Sequence, residues 1–340
     1  MPSLKTEPAP YAARGHQELR NGFHPVGYIV VTRPKGMHAM RQMSGALFST
    51  IVLVAGLITS ACAKSPVPEP SKESAMSENL LVGETRNGHT YTNAPVEAKL
   101  GPYRFMIPAN YYDDQMGPPW DGIGLLLHLQ WPSMEPEFPG IRSRQNFDAT
   151  MRRFNISIDY IEPSRERIED VLPRYAELDT ATGPNAPELR DPRYALERRD
   201  PSERLDLRIA QPEWMGLTPY AIDEPRMQEY SVEYAKKYGK PAPRNPAYED
   251  EWYVARNPDG SLATLIKCDS HKYRPKDGLI IEGDHILNDE NSPTTAGCRH
   301  SFVDRERNLT FNMNYARVLL KDWKKMEDAA RAILPRYQVK

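Results

Sequence analysis

Two cysteines and two histidines sit at spacings that allow chemistry. His271 follows Cys268 by three positions, and His300 follows Cys298 by two. Cysteine and histidine are the usual ligands of zinc, but this interleaved order departs from the paired spacing of structural zinc sites. The simpler reading of Cys268 and Cys298 is a disulfide, and a metal site is the rival. A loop of about 30 residues closed in this way stabilises a fold by roughly 3–4 kcal/mol in the chain-entropy account. A second polar cluster, Glu282-Gly-Asp-His285 with Asp289-Glu290, could hold a cation or move protons. It reads more simply as a charged loop between strands, and an enzyme working through Asp284 and His285 is the less favoured alternative. His128 lies inside an apolar run and reads as a satisfied core residue; His89 completes the five histidines beyond residue 62. There is no Gly-x-Ser-x-Gly elbow, no His-Glu-x-x-His, no phosphate-binding loop and no dinucleotide glycine fingerprint. No catalytic residue, metal or cofactor is therefore assigned. The sequons Asn155-Ile-Ser157 and Asn308-Leu-Thr310 are read as chance matches in strand contexts.

The third cysteine has a different setting. Arg41 precedes an apolar run from Ala46 to Ile58, broken only by Ser49, Thr50 and Gly56, and Ser60-Ala61 leads into Cys62. About 13 residues span only ~20 Å as a helix, too short for a ~30 Å bilayer core. With its small-residue exit, the segment resembles a bacterial lipoprotein signal peptide over residues 37–61. The match departs from that pattern at Thr59, where Leu is usual. The resemblance implies that Cys62 is lipidated and becomes the first residue of the mature chain. Ala63 after it implies placement at the outer membrane, facing the periplasm. Residues 1–36 are expected to be a non-native or mis-annotated extension ahead of a start at Met37 or Met40. Residues 62–79 are rich in Pro, Ser and charge without apolar periodicity. They read as a flexible tether with a coil span of about 20–25 Å.

Residues 1–61 hold six of the 44 Lys and Arg and two of the 46 Asp and Glu, which leaves 38 and 44 and a net charge near −6. Nucleic acid is a poor partner for such a chain. The 32 prolines suit a loop-rich α+β protein better than a helical bundle. Tyr103–Pro108 reads as a short strand and Gly122–Trp131 as a buried central strand. In Arg153–Ile161, Phe154, Ile156, Ile158 and Tyr160 alternate with Asn155, Ser157 and Asp159, the pattern of a half-buried strand. A short helix is expected over 163–175.

The C-terminal part repeats this order. Asp277–Ile281 echoes Asp121–Leu125, Leu309–Tyr315 echoes Phe154–Ile158, and a helix is expected over Leu319–Leu334. Leu172-Pro-Arg-Tyr175 and Leu334-Pro-Arg-Tyr337 close the two units. The expectation is an α+β fold of two related β-β-α units, 80–175 and 251–340, with antiparallel sheets and a possible internal duplication. Hairpins are expected around Asn257-Pro-Asp-Gly260 and Arg305–Asn308. Between the units, 176–250 reads as a linker with two long polar insertions and a short helix over 226–238. Long insertions rich in Tyr and Arg suit protein contacts.

Several stretches scattered over residues 100–335 carry a further resemblance. They are Gly101–Asn110, Leu125–Pro132, Gly216-Leu-Thr-Pro-Tyr220, the Trp252–Cys268 hairpin and Cys298-Arg-His-Ser-Phe302. They resemble periplasmic immunity lipoproteins that neutralise antibacterial lipase or phospholipase effectors delivered by type VI or type IV secretion. The resemblance implies a non-enzymatic inhibitor that covers the catalytic cleft of a secreted effector protein and so protects membrane phospholipids. It carries over no particular partner-binding residues; the polar insertions, 180–200 first, are the expected blocking surface. An envelope-assembly or ligand-binding lipoprotein without a toxin partner is the alternative.

Overall fold

The computed structural model describes residues 80–118, 124–176, 199–271, 277–289, 292 and 294–339. The leader, Cys62, the tether and most of the 180–200 insertion lie outside them.

Eight strands form one antiparallel sheet in the order β5-β6-β14-β13-β10-β9-β8-β7. They are β5 (Gly124–Gln130), β6 (Arg153–Tyr160), β7 (Arg208–Ala210), β8 (Thr218–Ile222), β9 (Glu251–Arg256), β10 (Leu262–Cys268), β13 (Gly297–Asp304) and β14 (Leu309–Ala316). Three two-stranded ribbons stand apart from it: β1 (Val82–Arg86) with β2 (His89–Thr92), β3 (Pro95–Leu100) with β4 (Tyr103–Pro108), and β11 (Leu279–Glu282) with β12 (His285–Asn288). The helices are α1 (Phe147–Arg152), α2 (Ile168–Tyr175), α3 (Glu224–Tyr238) and α4 (Trp323–Tyr337). Helices and antiparallel sheets together make this an α+β fold.

Strand alternation sorts side chains onto the two faces of the sheet. Phe154, Ile156 and Ile158 of β6 join Phe311, Met313 and Tyr315 of β14 in one core. Met326, Ala330 and Leu334 of α4 and Phe105 and Ile107 of β4 complete that core. On the other face, Val171 and Leu172 of α2 pack with Trp252, Val254, Leu265 and Val303. Leu265 and its neighbour Ile266 fall in different cores, as consecutive strand residues must.

Both expected hairpins form. Gly260 at φ +82° turns β9 into β10, and Asn308 at φ +54° turns β13 into β14. In α4 the expected stripe is buried at Trp323, Met326, Ala330 and Leu334, although the helix proper starts at Trp323 after a 3-10 turn over Arg317–Asp322. Asp223 caps the start of α3 through the Arg226 amide at 3.2 Å, and Gly239 at φ +67° stops the helix.

Three features differ from the expectations. β5 is an edge strand, not a central one. Its apolar run is buried because Tyr112 bridges to Leu127 and the Asp113 amide donates to Leu126 O at 3.2 Å, covering the open edge. Second, β6 and β14 pair directly, so strands from both halves share one sheet. The echo of Asp121–Leu125 in Asp277–Ile281 does not carry into sheet position. β13 holds the place beside β14 that β5 holds beside β6, while β11 pairs locally with β12. Third, the stretch read as linker supplies β7 and β8 to the main sheet, while the helix expected in it forms as α3.

Candidate functional site

The sheet carries a polar surface on the same face as α2, beside the parts of β9, β10, β13 and β14 on which that helix packs. Register places His128, Asn155, Asn314, Arg299, Lys267 and Trp252 in one row across six strands. The next row runs Leu126, Ser157, Asn312 and Ser301 before it reaches the covered Leu265. Cross-strand neighbours lie about 5 Å apart, so three asparagines and two serines make one patch. Ser301 Oγ donates to Asn312 Oδ1 at 2.8 Å. The middle of this patch is half-buried, and Asn314 and Arg299 are exposed.

Charge is concentrated at both ends of the first row. At the β5 end, His128 Nε2 lies 3.2 Å from Asp113 Oδ1. Arg142 pairs with Glu137 at 2.8 Å and reaches Tyr112 O at 2.7 Å. Burial, then the nearby Arg142 and Arg153 guanidiniums, push the His128 imidazole well below its ordinary value, so it is neutral. His128 Nδ1, Gln130 Oε1, Asn155 Oδ1 and Arg142 Nη2 are buried without a hydrogen-bond partner among the described residues.

At the other end, Lys267 Nζ sits 3.9 Å from the Trp252 ring centroid and 2.5 Å from Glu203 Oε2. The Arg208 guanidinium lies 4.4 Å from the same ring centroid. Burial pushes the Lys267 ammonium down and the Asp250 carboxyl up. Burial raises the Glu203 carboxyl too, but Lys267 beside it outweighs that and leaves it below the ordinary value. Arg299 pairs with Asp250. These contacts fix the donors and acceptors on a rigid sheet.

The residues singled out in the sequence fall in separate places. Cys268 and Cys298 are directly opposite each other on β10 and β13 and form a disulfide. Their sulfurs are bonded to each other, and their histidine neighbours turn elsewhere. His271 pairs with Glu251, while His300 is fully buried with Nε2 at 3.0 Å from Glu327 Oε2. The Glu282–His285 cluster is the tip of the β11–β12 ribbon, turning at Gly283 with φ +61°. His285 Nδ1 lies 3.0 Å from Asp148 Oδ2, and the Ile286 amide donates to Asp148 Oδ1 at 2.7 Å, so Asp148 clips the ribbon to α1. His89 is on β2 with its ring 4.9 Å from that of Tyr91. None of these pairs joins a nucleophile to a base. The polar rows were half visible in the alternation of β6, but only register joins Asn155 to Asn314 and Arg299.

No family model matches the chain, and no curated protein does. The solved structure of Smlt3025, an immunity protein of the Stenotrophomonas maltophilia type IV secretion system, is similar. It is 43% identical with a TM-score of 0.66, and the match covers 76% of this chain and 99% of that one.

Proposed function

The chain belongs to the same family as the type IV secretion immunity protein Smlt3025, and from that premise we propose that it binds and inhibits a cognate antibacterial effector. The carrying observation is the 43% identity over 99% of the relative's chain. The polar sheet rows agree with a binding role. Amides, hydroxyls and guanidiniums held on a rigid sheet make directed hydrogen bonds to a protein partner. Asn314 and Arg299 are the accessible members and are assigned to the interface.

The effector is a lipase or phospholipase, and inhibition protects membrane phospholipids in the periplasm. Cys62 is lipidated and holds the protein at the outer membrane. The apolar run before Cys62 and the small residues at its exit support this anchor. The Cys268–Cys298 disulfide supports an oxidising compartment.

The test is co-expression with the effector encoded at the same locus, directed to the periplasm. The effector alone should kill, and this chain should restore growth and form a 1:1 complex with it. Killing that persists despite equal expression would overturn the immunity role. Release of fatty acid from phospholipid vesicles by the purified effector, stopped by this chain, checks the lipase assignment. An effector that releases none would remove that part alone.

A further inference from the structure

The described fold begins on an exposed apolar surface. Leu80, Leu81, Val82, Met116, Phe138 and Ile141 are each between 44% and 57% exposed. Backbone contacts bring their segments together. The Asn93 amide donates to Leu81 O at 3.2 Å, and the Leu81 amide to Asn93 Oδ1 at 2.7 Å. Gly83 lies so close to the 138–141 turn that a Cβ there would stand 2.0 Å from Pro139 O. Gln115 ties the third segment in, donating to Phe138 O at 3.1 Å and accepting from the Gly140 amide at 2.9 Å. Isolated exposed apolar residues need no explanation, but a cluster from three segments does.

We infer that this surface is a foot that rests on the lipid bilayer. The proposal builds on the lipidation of Cys62. The chain enters the fold at Leu80, inside the patch, 18 residues after Cys62. A lipid on Cys62 therefore pulls on the fold at this face rather than at the opposite one, which biases this face toward the membrane. The attached lipid supplies most of the affinity, and the foot adds a weaker affinity of its own and orients the protein. The rim carries little net charge: Glu84 pairs with Arg86 and with Arg144 at 2.8 Å, and Asp114 accepts from the Met116 amide at 2.8 Å. Attachment therefore depends on apolar burial and only weakly on salt.

The test uses the chain from position 62 onward carrying Cys62→Ser, so that no acyl group contributes. Among the described residues every buried apolar side chain lies between Ala98 and Leu334, so removing the leader takes nothing from that core. This form should co-sediment with vesicles of phosphatidylethanolamine and phosphatidylglycerol at low and high salt alike. Leu81→Glu with Phe138→Glu should lower that partition by about tenfold or more. The milder Ile141→Ser should lower it less, and all variants should keep the melting temperature and effector binding. A protein that stays in the supernatant at every lipid concentration would overturn the foot. So would a double variant that partitions as before, one that loses effector binding, or a lipid-free dimer that the double variant dissociates. Labelling of Cys62 with radioactive palmitate in cells tests the anchor separately.

Discussion

Glu327 shows how one residue on α4 governs behaviour in acid. It is 4% exposed, accepts from Thr264 Oγ1 at 2.7 Å, meets His300 Nε2 at 3.0 Å and holds Arg331 Nε at 2.9 Å. Burial pushes its carboxyl up, but His300, Arg331 and Thr264 outweigh that and bring it down to about 2. A carboxylate held low stabilises the fold above its unfolded value near 4.5, and that contribution is lost as pH falls toward 2. Burial, which outweighs the Glu327 carboxylate beside it, holds His300 below its ordinary value, so unfolding takes up a proton there as pH falls below about 6.5. Both effects lower stability in acid. Urea midpoints should therefore decline from near pH 6.5 and fall further below pH 4.5. Glu327→Gln should flatten the lower part and cost on the order of 3 kcal/mol at neutral pH. A variant whose acid profile matches the parent would remove Glu327 from this account. Cys268→Ser with Cys298→Ser should cost about 3–4 kcal/mol, read as a lower melting temperature under non-reducing conditions.

At the scale of elements, glycine and packing decide how ribbon and sheet meet. Gly101, at φ +57°, turns β3 into β4, and a Cβ there would lie 2.4 Å from the Tyr160 ring of β6. Gly101→Ala is both strained and blocked, and should destabilise by about 1–3 kcal/mol in thermal melts. A change under half of that would mean the ribbon shifts freely. Met326 and Leu334 of α4 are fully buried against the sheet, and either one changed to Ala should cost about 2–5 kcal/mol. The β4, β6 and α4 elements were legible because a period of two or of 3.6 is local to the chain. The edge position of β5 was not, because its burial comes from Tyr112 and Asp113, outside the strand. The separate β11–β12 ribbon was hidden for a related reason. Leu279–Glu282 reads like a sheet strand, but a tight turn at Gly283 pairs it with its immediate neighbour.

At the scale of the molecule, function depends on which face is open. α2, with Ala176 and Leu205, covers Trp252, Leu265 and Val303, and among the described residues leaves the asparagine and serine rows of β6, β14 and β13 half-buried to exposed. Asn314→Trp and Arg299→Glu should each weaken effector binding by tenfold or more in titration calorimetry; Asn314→Trp should keep the melting temperature, and Arg299→Glu should lower it, because Asp250 loses its partner. Affinity equal to the parent for both would move the interface off this face. The Asn155 and His128 end should respond more weakly, because it is less accessible.

What the chain's own order determined is what depends on neighbours along it. The hairpin turns, the alternation of β6, the stripe of α4 and the α+β class all rest on local spacing. Tertiary structure alone decided what depends on registration between distant strands. It placed Cys268 directly opposite Cys298 for the disulfide already read from the sequence, sent His300 to Glu327, and aligned His128, Asn155, Asn314 and Arg299 from four strands into one row. A strand's pattern says which residues share a face, but only hydrogen-bonded pairing says which residues of other strands stand beside them.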